Sequence, residues 1–295
     1  MATTITARTL KNCPAPAKLN LFLHITGRRP DGYHLLQTVF QLLDFGDTLH
    51  FALRDDERIE RSNALPGVPQ DSDLTVRAAR LLQAAGREKL GKPLAGADIA
   101  LEKRLPMGGG LGGGSSDAAT TMMALNHLWH TGFSRAELMT LGLQLGADVP
   151  FFLFGQNAFA EGVGEILSPI ETPACWYVVI EPGVSISTAA IFNAKDLTRD
   201  TNLVKISNFS KAPKSFGKND LQAVATRLFP EVSDAIQWLK KFGDARMTGS
   251  GSCVFCSVEQ EHDASEVLKI VPPRWRAWKV KAIGQHPLAN FLREQ

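Results

Sequence analysis

Cysteine is scarce in this chain of 295 residues: there are four, at positions 13, 175, 253 and 256. So few in so long a chain exclude a disulfide-stapled scaffold and fit a reducing cytoplasm. Cys253 and Cys256 form a C-x-x-C, yet Cys253-Val254-Phe255-Cys256-Ser257-Val258 reads as a strand, in which residues three apart face opposite sides. With no second pair, a zinc or redox site is not expected. No apolar run reaches the roughly 18 residues of a membrane helix. The first dozen residues are threonine-rich, carry Arg8 and Lys11, and lack the apolar centre of a secretory signal, so a frayed tail is expected. Neither sign of charge dominates, since 32 basic and 30 acidic residues leave +2. That balance carries no signature of a nucleic-acid or membrane-surface partner. Internal repeats and low-complexity segments are also missing. With 44% hydrophobic residues over this length, a substantial core and two domains are expected.

Glycine, in contrast, is concentrated. A strand pattern at 99–105 runs into Pro106-Met107-Gly108-Gly109-Gly110-Leu111-Gly112-Gly113-Gly114-Ser115-Ser116. A helix is then expected from Ser116 to about His130, with Ala118, Met122, Leu125 and Trp129 on one stripe. Glycine loses the most backbone entropy on ordering, so two triplets inside a strand or helix would be wasteful. In a loop they allow positive φ and bring bare N–H groups close to an anion. The helix N-terminus that follows adds unpaired N–H groups and about half a positive charge. Ser115 and Ser116 supply hydroxyls at the cap. The stretch is read as a phosphate-binding loop.

Elsewhere, residues 13–25 form a nearly continuous apolar strand interrupted by Lys18 and Asn20, which share one face. Lys18 is either a site residue or an edge lysine that snorkels to water. Pro30-Asp31-Gly32 is strong turn chemistry, and Tyr33 and His34 at its exit could hold a planar group or sit on a rim. Strands are expected at 35–43 and 48–53, and a helix at 74–85 that ends at Gly86 with Asp71, Ser72 or Asp73 as its cap. Ser134 and Glu137 form a capping box for a helix reaching 145. Asp148 sits between glycine and an apolar run, where it either caps the next turn or acts as an acid or base; the upstream glycine loop favours the second. A buried strand is expected at 175–180, a helix start at 187–192, an exposed loop at 198–218, and helices at 220–229 and 230–241. Arg246-Met247-Thr248-Gly249-Ser250-Gly251-Ser252 is a second glycine–serine turn. Near the end, Trp278, Val280 and Ala282 share one face of a strand and Lys279 and Lys281 the other, so Arg274, Trp275 and Arg276 belong to a plain strand with a solvated basic face rather than an RNA site. His127 and His130 lie one turn apart and could bind a metal, but a solvated pair at a helix C-terminus is the simpler reading.

A Walker A loop would need a lysine after its last glycine, and none lies in this loop. A Rossmann loop would stand in the first βαβ unit rather than after a hundred residues. A protein kinase would carry H-R-D and D-F-G, and neither occurs. Five segments remain in order: Pro16-Ala17-Lys18-Leu19-Asn20-Leu21, Gly27 with Arg29-Pro30-Asp31-Gly32-Tyr33-His34, the glycine loop with Asp117, Gly146-Ala147-Asp148-Val149-Pro150-Phe151, and Met247-Thr248-Gly249-Ser250-Gly251. This set resembles the galacto-, homoserine, mevalonate and phosphomevalonate (GHMP) kinase superfamily. The turn with Tyr33 and His34 directs the resemblance to the branch that serves the non-mevalonate isoprenoid pathway.

The resemblance implies an α/β (α+β) fold of two domains, a ribosomal-S5-like βαβ domain over 1–165 and a ferredoxin-like α/β domain over 166–295, with the active site in the cleft. It implies ATP with Mg²⁺, the phosphates on Pro106 through Ser116, and a cytidylated methylerythritol as the small-molecule substrate. The substrate's 2-hydroxyl would meet Lys18 and Asp148, while Asn20, Tyr33, His34 and Phe192 would hold its cytidine end. No residue stands out as a metal ligand, so phosphates and water would hold the ion. A cytoplasmic monomer or weak homodimer without nucleic-acid or membrane partners is expected. Homoserine or mevalonate is the neighbouring substrate reading.

Overall fold

The structure is a computed structural model that describes residues 2–292. A two-residue strand, β1 (Thr4–Ile5), pairs with β2 (Thr9–Arg28), which turns through 29–33 into an equally long β3 (His34–Leu53). The turn closes with the Arg29 N–H donating to Tyr33 O at 2.7 Å and Gly32 at φ +93°. Residues 15–25 of β2 are buried without a break because both faces are covered, which is why its sequence shows no polar alternation. The β2–β3 register shifts between Pro16 and Lys18 and again between Asn20 and Leu23, so Lys18 and Asn20 sit between two irregularities of the strand.

β4 (Ile59–Arg61) runs parallel to β5 (Ala97–Glu102), which pairs with β3; between them lies α1 (Leu74–Leu90). α1 passes through Gly86 and ends at Gly91, five residues beyond the expected stop. Gly86 is buried, and a Cβ there would meet Leu94 Cδ1 and Thr131 Cγ2, each at 2.7 Å. This glycine serves close packing, not termination. The cap is Asp73, whose carboxylate accepts from Thr75 N.

α2 (Gly113–Leu128) starts three residues ahead of the expected Ser116 and is buried around most of its circumference, including Ala118, Met122 and Leu125. α3 (Arg135–Leu143) opens on the Ser134–Glu137 capping box, and α4 (Val149–Phe154) follows Asp148. β6 (Ala158–Glu161) pairs with β3 and with β7 (Ile166–Pro169).

The remaining elements are β8 (Trp176–Glu181), α5 (Thr188–Phe192), α6 (Ile206–Lys211), α7 (Asp220–Leu228), α8 (Pro230–Leu239), β9 (Arg246–Met247), β10 (Val254–Val258), α9 (Glu261–Lys269) and β11 (Arg276–Ile283). α6 corrects the expected exposed loop at 198–218. Its Phe209 is fully buried with its ring 6.2 Å from that of Phe22, so the segment is anchored in the core.

One hydrogen-bonded path runs β1-β2-β3-β11-β8-β10-β9. β11 pairs with β8 along 276–281 and with β3 through Ala282 and Ile283. The expected alternation holds: Val280 is buried, while Lys279 faces out and pairs with Glu261 at 2.6 Å. One apolar cluster gathers residues from the first 160 with Leu288, Phe291 and Leu292. A second gathers mainly residues 178–275, and a third joins β2 and β3 to β8 and β10. Cys253 lies in the third and Cys256 in the second, on opposite sides of β10, and all four cysteines are free and buried. No helix among the described residues is long and apolar enough to cross a membrane.

Candidate active site

Three loops meet at the N-terminus of α2. In the glycine loop, Gly108, Gly110 and Gly112 have φ of +71°, +75° and +74°. A Cβ on Gly110 would lie 2.2 Å from Thr248 O, and one on Gly112 would press on Phe152 and on the Lys18 stem. The 248–252 turn is stitched to this loop by Cys253 N donating to Gly109 O at 3.1 Å. Gly112 stands at the N-cap and offers no side-chain acceptor. Ser116 N donates to Gly112 O, but the amides of Gly113, Gly114 and Ser115 have no acceptor among the described residues. Three free N–H groups and the positive end of a 16-residue helix are thus directed at one place. The two serines lie in the first turn of the helix rather than at its cap.

Behind the loop lies a buried triad that the sequence reading missed. Lys103 Nζ contacts Asp47 at 2.5 Å and Asp117 at 2.7 Å. Asp47 also accepts from Arg104 N at 2.6 Å and Leu105 N at 2.8 Å, which fixes the entry to the loop. Burial pulls the Lys103 ammonium down, but Asp117 and Asp47 outweigh it and hold it above its usual value. The signal in the sequence was an aspartate inside a strand and another inside a helix, but their meeting depends on the β3–β5 pairing.

Lys18, 3% exposed, is held from three sides. Its Nζ donates to Asn20 Oδ1 at 2.5 Å, lies 3.7 Å from Asp148 Oδ2, and stands 5.3 Å from the centre of the Phe40 ring. Burial pulls the ammonium below its usual value, and the Asp148 carboxylate opposes that pull. The lysine does not snorkel to water. Asp148 precedes α4 in a helical conformation without a side-chain cap bond, so the carboxylate is free for other work. Lys18, Asp148, Ser115 and the loop glycines line one cleft of about 340 Å³ with Thr188, Phe192 and the turn at 249–251.

A second, mostly apolar cavity of about 470 Å³ opens beside it, lined by Asp31, Gly32, Tyr33 and His34. The two cavities share Leu36, Ala147, Val163, Thr188 and Phe192 and therefore lie side by side. Tyr33 is 63% exposed, and the rings of His34 and Phe192 lie 5.0 Å apart at 34°. Of the four residues expected to hold a substrate's base, Tyr33, His34 and Phe192 gather here. Asn20 does not: it is buried, and its amide is spent on Lys18 and, through Nδ2, on Thr38 Oγ1 at 3.0 Å. Burial and the charges of Arg199 and Arg28 hold the His34 imidazole below its usual value.

Of the two histidines weighed as a metal pair, His127 is half-buried and packs, while His130 is exposed as the solvated reading expects. The His127 ring stacks on Phe291 at 4.6 Å and 10°, and His130 stands 6.2 Å from it. Among the described residues no group of three or more His, Cys, Asp or Glu is placed to hold a metal ion.

Comparison with known proteins bears on this geometry. Residues 73–156 match the family described as GHMP kinases N terminal domain, and residues 201–276 match GHMP kinases C terminal. A 4-diphosphocytidyl-2-C-methyl-D-erythritol kinase of Janthinobacterium sp. (strain Marseille) is 70% identical over 281 residues, 95% of this chain and 97% of that one. A crystal structure of 4-(cytidine 5'-diphospho)-2C-methyl-D-erythritol kinase superposes with a TM-score of 0.74 at 34% identity, covering 92% of this chain and 98% of that chain. The mevalonate kinase of Methanococcus jannaschii shares the fold, with a TM-score of 0.66 at 17% identity over 94% of this chain and 98% of its own.

Proposed function

Because this chain belongs to the 4-diphosphocytidyl-2-C-methyl-D-erythritol kinases of the GHMP superfamily, ATP-dependent phosphotransferases with an alcohol as acceptor, we propose that it phosphorylates the 2-hydroxyl of 4-diphosphocytidyl-2-C-methyl-D-erythritol through Lys18 and Asp148. The observation that carries this reading is that the two cavities adjoin along a shared wall. A cleft with a lysine–aspartate pair at a helix N-terminus adjoins a roomy, mostly apolar cavity whose Tyr33, His34 and Phe192 rings can take a planar base. A kinase for a small alcohol without a base would have no use for the second cavity.

In phosphoryl transfer the protein chiefly positions groups and offsets charge on the moving oxygens. The ATP phosphates rest on the amides of 106–116, with the free N–H groups of Gly113, Gly114 and Ser115 toward them. The substrate hydroxyl enters between Lys18 and Asp148. Asp148 accepts its proton, and the Lys18 ammonium, already desolvated, stabilises the alkoxide that develops. Asn20 orients Lys18 rather than the cytidine end, which falls to Tyr33, His34 and Phe192. Mg²⁺ would be held chiefly by phosphate oxygens and water, with the Ser115 hydroxyl as the hard donor the cleft offers beside them, and it would neutralise charge on the triphosphate. We assign ATP binding and catalysis to 1–165 and the remaining GHMP-kinase unit to 166–295, with the tail at 288–292 returning to the first core. Buried free cysteines support a cytoplasmic setting, and the pairing of Arg276 with Glu181 and Lys279 with Glu261 neutralises part of the basic face and supports a kinase without a nucleic-acid partner.

The test is ATP-coupled ADP release with three alcohols. The cytidylated methylerythritol is expected to drive turnover, and homoserine and mevalonate are not; equal turnover with either of those would overturn the reading. Asp148→Asn is expected to cut turnover by about 10²–10⁴ with ATP affinity little changed, and near-normal turnover would remove Asp148 from the chemistry.

A further inference from the structure

Arg199 comes from the segment expected to be an exposed loop, yet its guanidinium is half-buried and spends its donors around the base pocket. Nε donates to His34 Nε2 at 3.1 Å. Nη2 donates to the carbonyls of Phe192 at 3.0 Å and Ala194 at 2.7 Å, and Nη1 to Leu197 O at 3.0 Å. One side chain therefore ties the first residue of β3 to the C-terminal end of α5, the two places that supply the histidine and phenylalanine of the pocket. Arg199 forms no ion pair among the described residues, so its charge is directed at carbonyls and an imidazole.

The chemistry of these donors fixes more than position. A guanidinium only donates, so the His34 Nε2 it faces must be a bare lone pair. A neutral imidazole with a bare Nε2 carries its proton on Nδ1. Nδ1 has no hydrogen-bond partner among the described residues, which leaves that N–H available to a ligand. We infer that Arg199 is the positioning residue of the base pocket, holding His34 as the Nδ1–H tautomer and Phe192 beside it, so that the pocket offers one N–H donor and one aromatic wall to a planar base bearing an acceptor. The inference rests on the proposed substrate. It adds that recognition of its base depends on a residue more than 160 positions from His34.

Two measurements test it. In steady-state kinetics, Arg199→Met and Arg199→Lys are expected to raise KM for the cytidylated alcohol about tenfold or more, because a lysine cannot reproduce the fork, while kcat and KM for ATP stay within about twofold. A merely structural role would lower kcat and thermal stability together and leave no such split; that pattern, or an unchanged KM, overturns the inference. Independently of any substrate, ¹⁵N NMR of the imidazoles, with His34 identified by its loss in His34→Gln, is expected to show the Nδ1–H form in the wild type and a shift toward Nε2–H in Arg199→Met, which removes the donor. A wild-type His34 protonated on Nε2 would overturn it even if Arg199→Met does not fold. Absent turnover of the cytidylated alcohol by the wild type would instead defeat the functional reading, and the NMR result would stand apart from it.

Discussion

At the scale of single residues, the site depends on a short polar relay inside an apolar strand pair. Lys18 donates to Asn20 Oδ1, Asn20 Nδ2 donates to Thr38 Oγ1, and the Thr38 hydroxyl donates to Phe22 O. The ammonium can only donate, so the Asn20 amide has one allowed orientation. Asn20→Ala would leave Lys18 with Asp148 alone at 3.7 Å and strip Thr38 of a donor. The expected outcome is a kcat at least about tenfold lower, near-normal ATP binding by calorimetry, and a loss of about 1–3 kcal/mol in urea unfolding from unpaired buried groups. Unchanged kcat would show that Lys18 needs no such support. Lys18 and Asp148 were legible in the sequence because a charge set in apolar surroundings is costly without a purpose. Asn20 was legible as a polar neighbour of Lys18 on one strand face, but its bonds to Lys18 and Thr38 were not, since Thr38 reaches it only through the β2–β3 register. Arg199, Asp47 and Lys103 were missed for the same reason: each finds its partner across strands or loops distant in sequence.

At the scale of elements, the strongest patterns gave elements of the right kind and the wrong ends. The capping box at Ser134 was readable because its two partners are three residues apart. The stop at Gly86 misled because a glycine that ends a helix and one that lets a neighbour approach look alike in sequence. The packing decides the sign of a substitution there. Gly86→Ala would gain about 1 kcal/mol of helix propensity on an exposed surface. Here its Cβ would press on buried Leu94 and Thr131 at 2.7 Å, and overpacking of this kind costs about 1–3 kcal/mol. Lower stability is expected in chemical denaturation; a rise in the unfolding midpoint would show that Leu94 and Thr131 yield freely. α6 was not legible because six residues with Phe209 as the one buried side chain show no period.

At the scale of the whole molecule, the tail after β11 docks on the core built from the first 160 residues. His286 N donates to Gly155 O at 2.9 Å, and its Nδ1 accepts from Leu288 N at 3.0 Å. Full burial pushes the His286 imidazole down from 6.5 to about 3. A base with a depressed value in the folded state stabilises the protein above its ordinary value and loses that contribution as the pH falls. The window therefore runs from about pH 6.5 down toward about 3, with a slope of about 1.4 kcal/mol per unit. Thermal melts between about pH 7 and pH 5 are expected to show falling stability in the wild type and a shallower fall in His286→Asn, which keeps an acceptor for Leu288 N and cannot become charged. Equal slopes would assign the acid sensitivity to other groups.

β3 and β8 never touch as strands; β11 lies between them and bonds to both. Gln41 and Ile283, which meet where β11 joins β3, are 242 positions apart. On a ribosome, the long hairpin would emerge early and then wait through nearly all of translation for its neighbour. Once residues 176–181 have emerged and until β11 follows, β8 carries a bare edge of six residues, a template open to any other extended segment. A nascent chain stopped short of residue 276 would lack the one strand that bonds to both β3 and β8, and the walls of the cleft would be joined only by contacts such as Cys253 with Gly109 and Arg199 with His34.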